Sequence, residues 1–322
     1  MLASLAFTGL SVATSASSGC SSVLVQDTPQ PGESKTINLN GRSFILYLPG
    51  SYNHRVPSKV HFSYHGVKGT GQHQMNLTGL TDPNVNNDTI AIFPNGINKK
   101  WLTNIHADPQ VNTDLDFTKD MVEYVDQHLC VGRDRIYASG KSNGGSFAAA
   151  LAYNAEVGDQ FAAFASVSGA YYDPSVQKGV GPCRAPRRSS GVPFIEFHGL
   201  NDTTAPYYGG GEGDKLPTRH MVGSFLEYNG CSRHEKGTVQ AVPYHTIDTD
   251  GKNIDTNYWH GTWGCDGKED IVEHYKENDM GHCWPSTNTN SDFEEHWRPC
   301  LIGHYAYNAT QIIIEFFAKH PR

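Results

Sequence analysis

Residues 135–154 read RIYASGKSNGGSFAAALAYN, and the fold turns on how they are read. RIYASG is a short β-like run, and SFAAALAYN is an alanine-rich, helix-like one. Between them Gly140, Ser142 and Gly144 satisfy the pattern G-x-S-x-G. Where a strand enters and a helix leaves, such a serine sits on a tight, strained turn with its hydroxyl presented outward. The flanking glycines are needed because side chains there would collide as the strand and helix backbones converge. The helix N-terminus beneath the serine favours negative charge, which suits an oxyanion. The plainer alternative is a glycine-rich helix start with Ser142 as a cap.

Working outward, apolar β-rich runs alternate with helical patterns. SFILYLP from Ser43, KVHFSYHG from Lys59, TIAIFPNG from Thr89, FAAFASVSG from Phe161 and VPFIEFHG from Val192 read as strands. Several are almost continuously apolar, as buried strands of a mostly parallel sheet are. DLDFTKDMVEYVDQHLC places Leu115, Met121, Val122, Val125 and Leu129 at helical spacing, and TQIIIEFFAKH is a further helix. Alternating strands and helices imply an α/β layered fold with helices flanking a central sheet. With no internal repeat and no linker-like stretch, a single domain over 19–322 is expected. The segment 172–191 and the glycine-rich YYGGGEGDKLP read as loops at one end of the sheet.

The 322 residues carry a formal net charge of −8, which argues against nucleic acid or an anionic membrane as partner. No run of about 18 apolar residues suggests a membrane span. Residues 1–18, moderately apolar and ending in small residues, are expected to be a secretory signal peptide, although they lack the usual positive charge at the start. Seven cysteines without C-x-x-C pairing point to disulfides. Sequons at Asn76, Asn87, Asn201 and Asn308 permit N-glycosylation. A secreted, extracellular glycoprotein, monomeric, is the expectation.

A serine hydroxyl needs a base to become a nucleophile. In hydrolases of this architecture the partners follow in the order serine, acid, histidine. EFHGLNDTTAPYYGG ends a strand and puts Asp202 in the following loop, where an orienting carboxylate belongs. NDMGHCWPS puts His282 at a loop tip after the strand-like IVEHYKEN. Among the 16 histidines, His220 and His274 read as helix or strand surface residues, and His304 is the main rival for the base. The oxyanion hole calls for the backbone N–H of Asn143, plus one from the loop HFSYHGVKGTG. There Val67 is the expected donor and Gly66 the second choice, with His65 a structural hydrogen-bonder below. The histidines lack H-E-x-x-H or similar spacing, so neither metal nor other cofactor is expected.

Taken in order, HG at His65, FPNG at Phe93, DLDF at Asp114, GKSNGG at Gly140, HGLND at His198 and GHCWP at Gly281 resemble a known family. It is carbohydrate esterase family 1, the secreted polyhydroxybutyrate-depolymerase-like esterases, and within it the fungal feruloyl esterases of types C and D. The resemblance runs from about residue 35 to the C-terminus. It implies an α/β-hydrolase fold and hydrolysis of hydroxycinnamate esters on plant cell-wall arabinoxylan, with Ser142 as nucleophile, Asp202 as acid and His282 as base. Tannase-like feruloyl esterases differ, carrying cysteines directly before the serine and after the histidine. Lys141 stands before Ser142 here, so Cys283 cannot form that bridge. For the acyl pocket Trp284, Trp101 and Tyr172 are the expected aromatic wall, with Trp259 and Trp263 as further candidates; core packing is the ordinary role of each. An acetylxylan esterase, a polyhydroxybutyrate depolymerase and a catalytically dead carbohydrate-binding protein on the same scaffold are the alternatives.

Overall fold

The computed structural model describes residues 16–21, 28–107, 113–172, 191–231, 238–247, 253–294, 300 and 305–322. In chain order the strands are β1 (Ser34–Leu39), β2 (Arg42–Tyr47), β3 (Ser58–Tyr64), β4 (Thr89–Pro94), β5 (Val131–Lys141), β6 (Ala163–Val167), β7 (Phe194–Gly199), β8 (Thr238–Ile247), β9 (Asn253–Cys265) and β10 (Lys268–Glu277). The helices are α1 (Gly71–Thr78), α2 (Asp114–His128), α3 (Asn143–Ala152), α4 (Thr218–Tyr228), α5 (Ser291–Glu294) and α6 (Ala309–Lys319).

One sheet holds all ten strands in the order β1-β2-β4-β3-β5-β6-β7-β10-β9-β8. The six central strands, β4-β3-β5-β6-β7-β10, pair in parallel. Antiparallel strands close both sides, β1 and β2 at one edge and β9 and β8 at the other. Because side chains alternate along a strand, the parallel centre buries two faces. Val60, Phe62, Tyr64, Ile136, Ala138, Phe164 and Phe194 join one core cluster with Met121 and Val125 of α2, Phe147 of α3 and Phe225 of α4. Tyr137, Ala163, Ala165, Ile195 and Phe197 join the other with Leu77 of α1 and Ile313, Phe316 and Phe317 of α6. This is the α/β-hydrolase arrangement, a mostly parallel sheet between two helical layers.

The strands and helices expected from the apolar runs all form. Unforeseen were β1, helices α1 and α4, and the long hairpin β8–β9. In that hairpin Thr238, Val239, Gln240 and Ala241 of β8 are exposed, whereas Tyr258, Trp263 and Cys265 of β9 pack against the core. Sequence 16–21 packs back onto the domain, with Ser17 donating from its backbone N to Val131 O (2.9 Å) and from Oγ to Leu129 O (2.6 Å). Disulfides join Cys20 to Cys130, Cys231 to Cys265 and Cys283 to Cys300. Cys183, His304 and residues 1–15 of the expected signal peptide lie outside the described residues. No helix among the described residues is long and apolar enough to cross a membrane.

Candidate active site

Ser142 ends β5 and opens α3 with φ 55° and ψ −119°, a region that non-glycine residues occupy only under constraint. The constraint is visible on both sides. A Cβ on Gly140 would fall 2.2 Å from Gly144 O, and one on Gly144 would fall 2.1 Å from Tyr64 O. Neither position has room for a methyl group, so the two glycines let β5, α3 and β3 meet around the serine. The turn is tied to the sheet by Ser142 N donating to Val167 O (2.9 Å) and Ala170 N donating to Ser142 O (3.1 Å).

The loop after β3 lies across this turn: a Cβ on Gly66 would be 3.3 Å from Ser142 Cβ. His65 sets the loop's course. Its Nε2 accepts from Gly96 N (3.0 Å), which requires Nδ1 to carry the proton and donate to Gly66 O (2.7 Å). Burial pushes the His65 pKa down to about 4, so the ring stays neutral. The structural role expected for His65 is the one it has. Val67, 37% exposed, follows at the loop's tip.

Asn143 is held from all sides. Its Oδ1 accepts from Trp101 N (2.8 Å), its Nδ2 donates to Thr103 Oγ1 (2.9 Å), and its carbonyl accepts from Thr103 Oγ1 (3.2 Å) and Ser146 Oγ (2.9 Å). Its backbone N–H belongs to the first turn of α3, where no intrahelical acceptor exists. The loop that holds it is anchored by Asp114, whose Oδ2 accepts from Leu102 N (2.7 Å) and whose Oδ1 pairs with Arg42 (2.7 Å). Thus the DLDF run does more than begin α2.

The acid and the histidine meet. His282 Nδ1 donates to Asp202 Oδ2 (2.7 Å), while Asp202 Oδ1 accepts from Thr204 N (2.9 Å) and Ala205 N (2.7 Å). Burial alone would raise the carboxyl's pKa. The charges and hydrogen bonds of His282 and His198 outweigh it and hold Asp202 ionised far below the ordinary range. Ser168 Oγ donates to Cys283 O (3.0 Å), and Lys141 pairs with Asp292, whose Oδ2 accepts from Trp284 N (2.7 Å). These bonds moor the His282 loop to the elbow. Among the described residues, no hydrogen bond joins Ser142 Oγ to His282; catalytic hydrogen bonds often tighten only once substrate is bound.

Two expectations for the acyl wall are corrected. Trp101 is fully buried, stacks on Phe147 (5.4 Å, 13°) and donates Nε1 to His65 O (2.7 Å). Trp284 is 1% exposed and donates Nε1 to Thr310 Oγ1 (3.0 Å). Both are core residues, because each indole N–H finds its partner inside. Tyr172 is buried in a cluster with Ala170, Ala205 and Ile105, and Lys215 Nζ stands 5.2 Å from its ring centre. His274, expected at the surface, is buried in a polar network behind Asp202.

No protein-family model matches the chain. Individual relatives do. A probable feruloyl esterase C of Aspergillus clavatus is 28% identical over 221 residues, covering 67% of this chain and 72% of that one. The chain is related to the fungal feruloyl esterases. Feruloyl esterase C of Emericella nidulans is 27% identical over 69% of this chain and 74% of its own. Feruloyl esterase D of Neurospora crassa is 26% identical over 80% and 79%. Among solved structures, an acetyl xylan esterase from Aspergillus awamori superposes with a TM-score of 0.53 at 15% identity, covering 82% of this chain and 98% of that one. A thermostable esterase superposes at 0.52 with 14% identity, covering 90% and 63%. These two share the fold. Taken with the named relatives, the chain is a carboxylic ester hydrolase, and its three disulfides fit an oxidising compartment.

Proposed function

We propose that this is a secreted serine esterase that releases ferulic and related hydroxycinnamic acids from plant cell-wall arabinoxylan. Two observations support the mechanism: the 2.7 Å contact of His282 Nδ1 with Asp202 Oδ2, and a serine forced to φ 55° between strand and helix. With Nδ1 donating, the neutral imidazole presents a lone pair at Nε2, which is what a general base requires.

In this reading Ser142 Oγ attacks the ester carbonyl carbon as His282 Nε2 takes the hydroxyl proton. The tetrahedral oxyanion accepts from the backbone N–H groups of Asn143 and Val67. Collapse expels the sugar alkoxide, protonated by His282, and leaves an acyl ester on Ser142. Water attacks that ester with its proton passing to His282, and the second collapse returns the proton to Ser142 Oγ and frees the hydroxycinnamate. Asp202 stays ionised throughout, holding the tautomer and stabilising the imidazolium. Each oxyanion donor contributes about 2.7–4 kcal/mol.

The names of the relatives support the feruloyl substrate. Purified protein assayed on methyl ferulate, acetylated xylan and short polyhydroxybutyrate oligomers tests the assignment. Preference for methyl ferulate by at least about tenfold in kcat/KM, a difference of roughly 1.4 kcal/mol, is expected. Faster deacetylation of xylan would reassign the substrate while keeping the triad.

A further inference from the structure

Behind Asp202 lies a buried chain of ionisable groups that the reaction steps above do not use. Glu196 and His198 alternate on β7, so their side chains share the face covered by α3 and α4, and His274 of β10 lies opposite Glu196 in register. All three are buried, Glu196 and His198 almost completely. His198 Nε2 stands 3.3 Å from Asp202 Oδ2 and 2.7 Å from Ala205 O. His198 Nδ1 stands 2.9 Å from Glu196 Oε1 and 3.1 Å from Thr218 Oγ1.

The contacts on the two sides of His198 favour the charged ring. Ala205 O can only accept, so Nε2 carries a proton. The Tyr171 hydroxyl donates to Ser166 Oγ (2.6 Å) and lies 3.4 Å from Glu196 Oε1, while Glu196 Oε2 lies 2.9 Å from His274 Nδ1. His274 Nδ1 donates to Glu196 O (3.1 Å) and is therefore protonated. Although burial opposes its charge, His198 and His274 beside it hold the Glu196 carboxyl below the ordinary range, so His198 Nδ1, 2.9 Å from Oε1, donates to it. Both ring nitrogens of His198 then carry protons.

We propose that His198 is a positioning residue: an imidazolium clamped between Glu196 and Asp202 that fixes the carboxylate of the triad and offsets part of its field. The inference rests on the triad reading above. A single carboxylate oxygen, Asp202 Oδ2, faces two histidines, 2.7 Å from His282 Nδ1 and 3.3 Å from His198 Nε2. The cation on one side offsets part of the carboxylate's field on the other, so removing it leaves Asp202 to act on its second partner undiminished. The other groups facing His198 are Tyr207, with ring centres 5.9 Å apart, and Thr218. Lys215, within the field of Asp202, donates to Glu212 O (2.6 Å), and Tyr207 is bonded to His274 Nε2 (3.1 Å). Although burial opposes charge, Glu196 and Asp202 raise the His198 pKa to about 10.

Two readouts test this on the full-length protein. In histidine-15N spectra, one ring absent from His198→Gln should keep both nitrogens protonated at pH 8; a neutral tautomer there overturns the proposal. In pH profiles of kcat/KM on an aryl ester, His198→Gln should move the acid limb upward by about one unit, tenfold in proton concentration. An unchanged limb with a uniformly lower rate means His198 is merely structural and also overturns it. If His198→Gln does not fold, Glu196→Gln serves: the retained His198 should lose its proton within the accessible pH range, and failure to do so contradicts the clamp. Ser142→Ala separates the two levels. Full activity in that variant sinks the triad reading, whereas the 15N result still reports on His198 alone.

Discussion

Ser142 and His282 are held in place by different means. At the elbow the backbone does the positioning. Gly140 and Gly144 leave no room for a Cβ, and the residue between them is forced to positive φ. On the acid and histidine side a close backbone approach recurs, since a Cβ on Gly199 would collide with Met280 O, but side chains add most of the ties: Asp202 gathers two backbone donors and two histidines, and Lys141, Asp292 and Ser168 tie the His282 loop down. Steric constraint is all-or-none and insensitive to pH. A charge network is graded and titrates. The nucleophile's geometry is thus fixed by packing, and the base's strength is left adjustable.

Removing the groups themselves should have the largest effects. Ser142→Ala is expected to lower kcat about a million-fold, and Asp202→Asn about 10⁴-fold through loss of the correct tautomer, both read on an aryl ester. Should Asp202→Asn cost less than tenfold, the network is not what orients His282. Gly144→Ala probes the steric half. Its methyl group would press on Tyr64 O, so a loss of at least about 3 kcal/mol and a Tm fall of about 5–10 °C are expected. An unchanged Tm would mean that the elbow has slack. Lys141→Met probes the mooring. It leaves Asp292 buried and unpaired, costing about 3 kcal/mol and raising the mobility of the His282 loop, which denaturant melts and hydrogen exchange would show.

The smallest effect concerns pH and stability. The folded pKa of Asp202 is depressed, so its contribution is present above the unfolded value near 3.9 and is lost as pH falls. The folded pKa of His198 is raised to about 10, so its contribution is full below about 6.5 and drains away as pH rises towards 10. Thermal melts should therefore show a maximum between about pH 4 and 6.5, with an alkaline decline of a few degrees that His198→Gln flattens. A wild-type curve flat from pH 6 to 10 would contradict the clamp.

How much of this was legible in the sequence follows from the same contrast. Steric demands leave a local signature, since Gly140, Ser142 and Gly144 are neighbours in the chain and flank a change from strand to helix. The buried strands were legible as apolar runs for the same reason. Networks built across the fold leave little local trace. His274 reads as a surface histidine in IVEHYKEN until register places it opposite Glu196. A hint existed: Glu196 and His198 alternate in an otherwise apolar strand, and a buried strand tolerates two such residues only if they satisfy each other. Trp101 and Trp284 misled because proximity to motif residues says nothing about which way a ring points. The hairpin β8–β9 was missed because residues such as Thr238–Ala241 lie exposed, so burial imposes no continuous apolar run there.

The central claim is that Ser142, His282 and Asp202 act as one unit beneath the N–H groups of Asn143 and Val67. A crystal structure of the protein inactivated by a serine-directed fluorophosphonate tests it most directly. The account predicts phosphorus bonded to Ser142 Oγ, the phosphoryl oxygen about 2.7–3.1 Å from both N–H groups, and His282 Nε2 within hydrogen-bond reach of the adduct. An adduct on another residue, or His282 turned away with Asp202 still at its side, would contradict it.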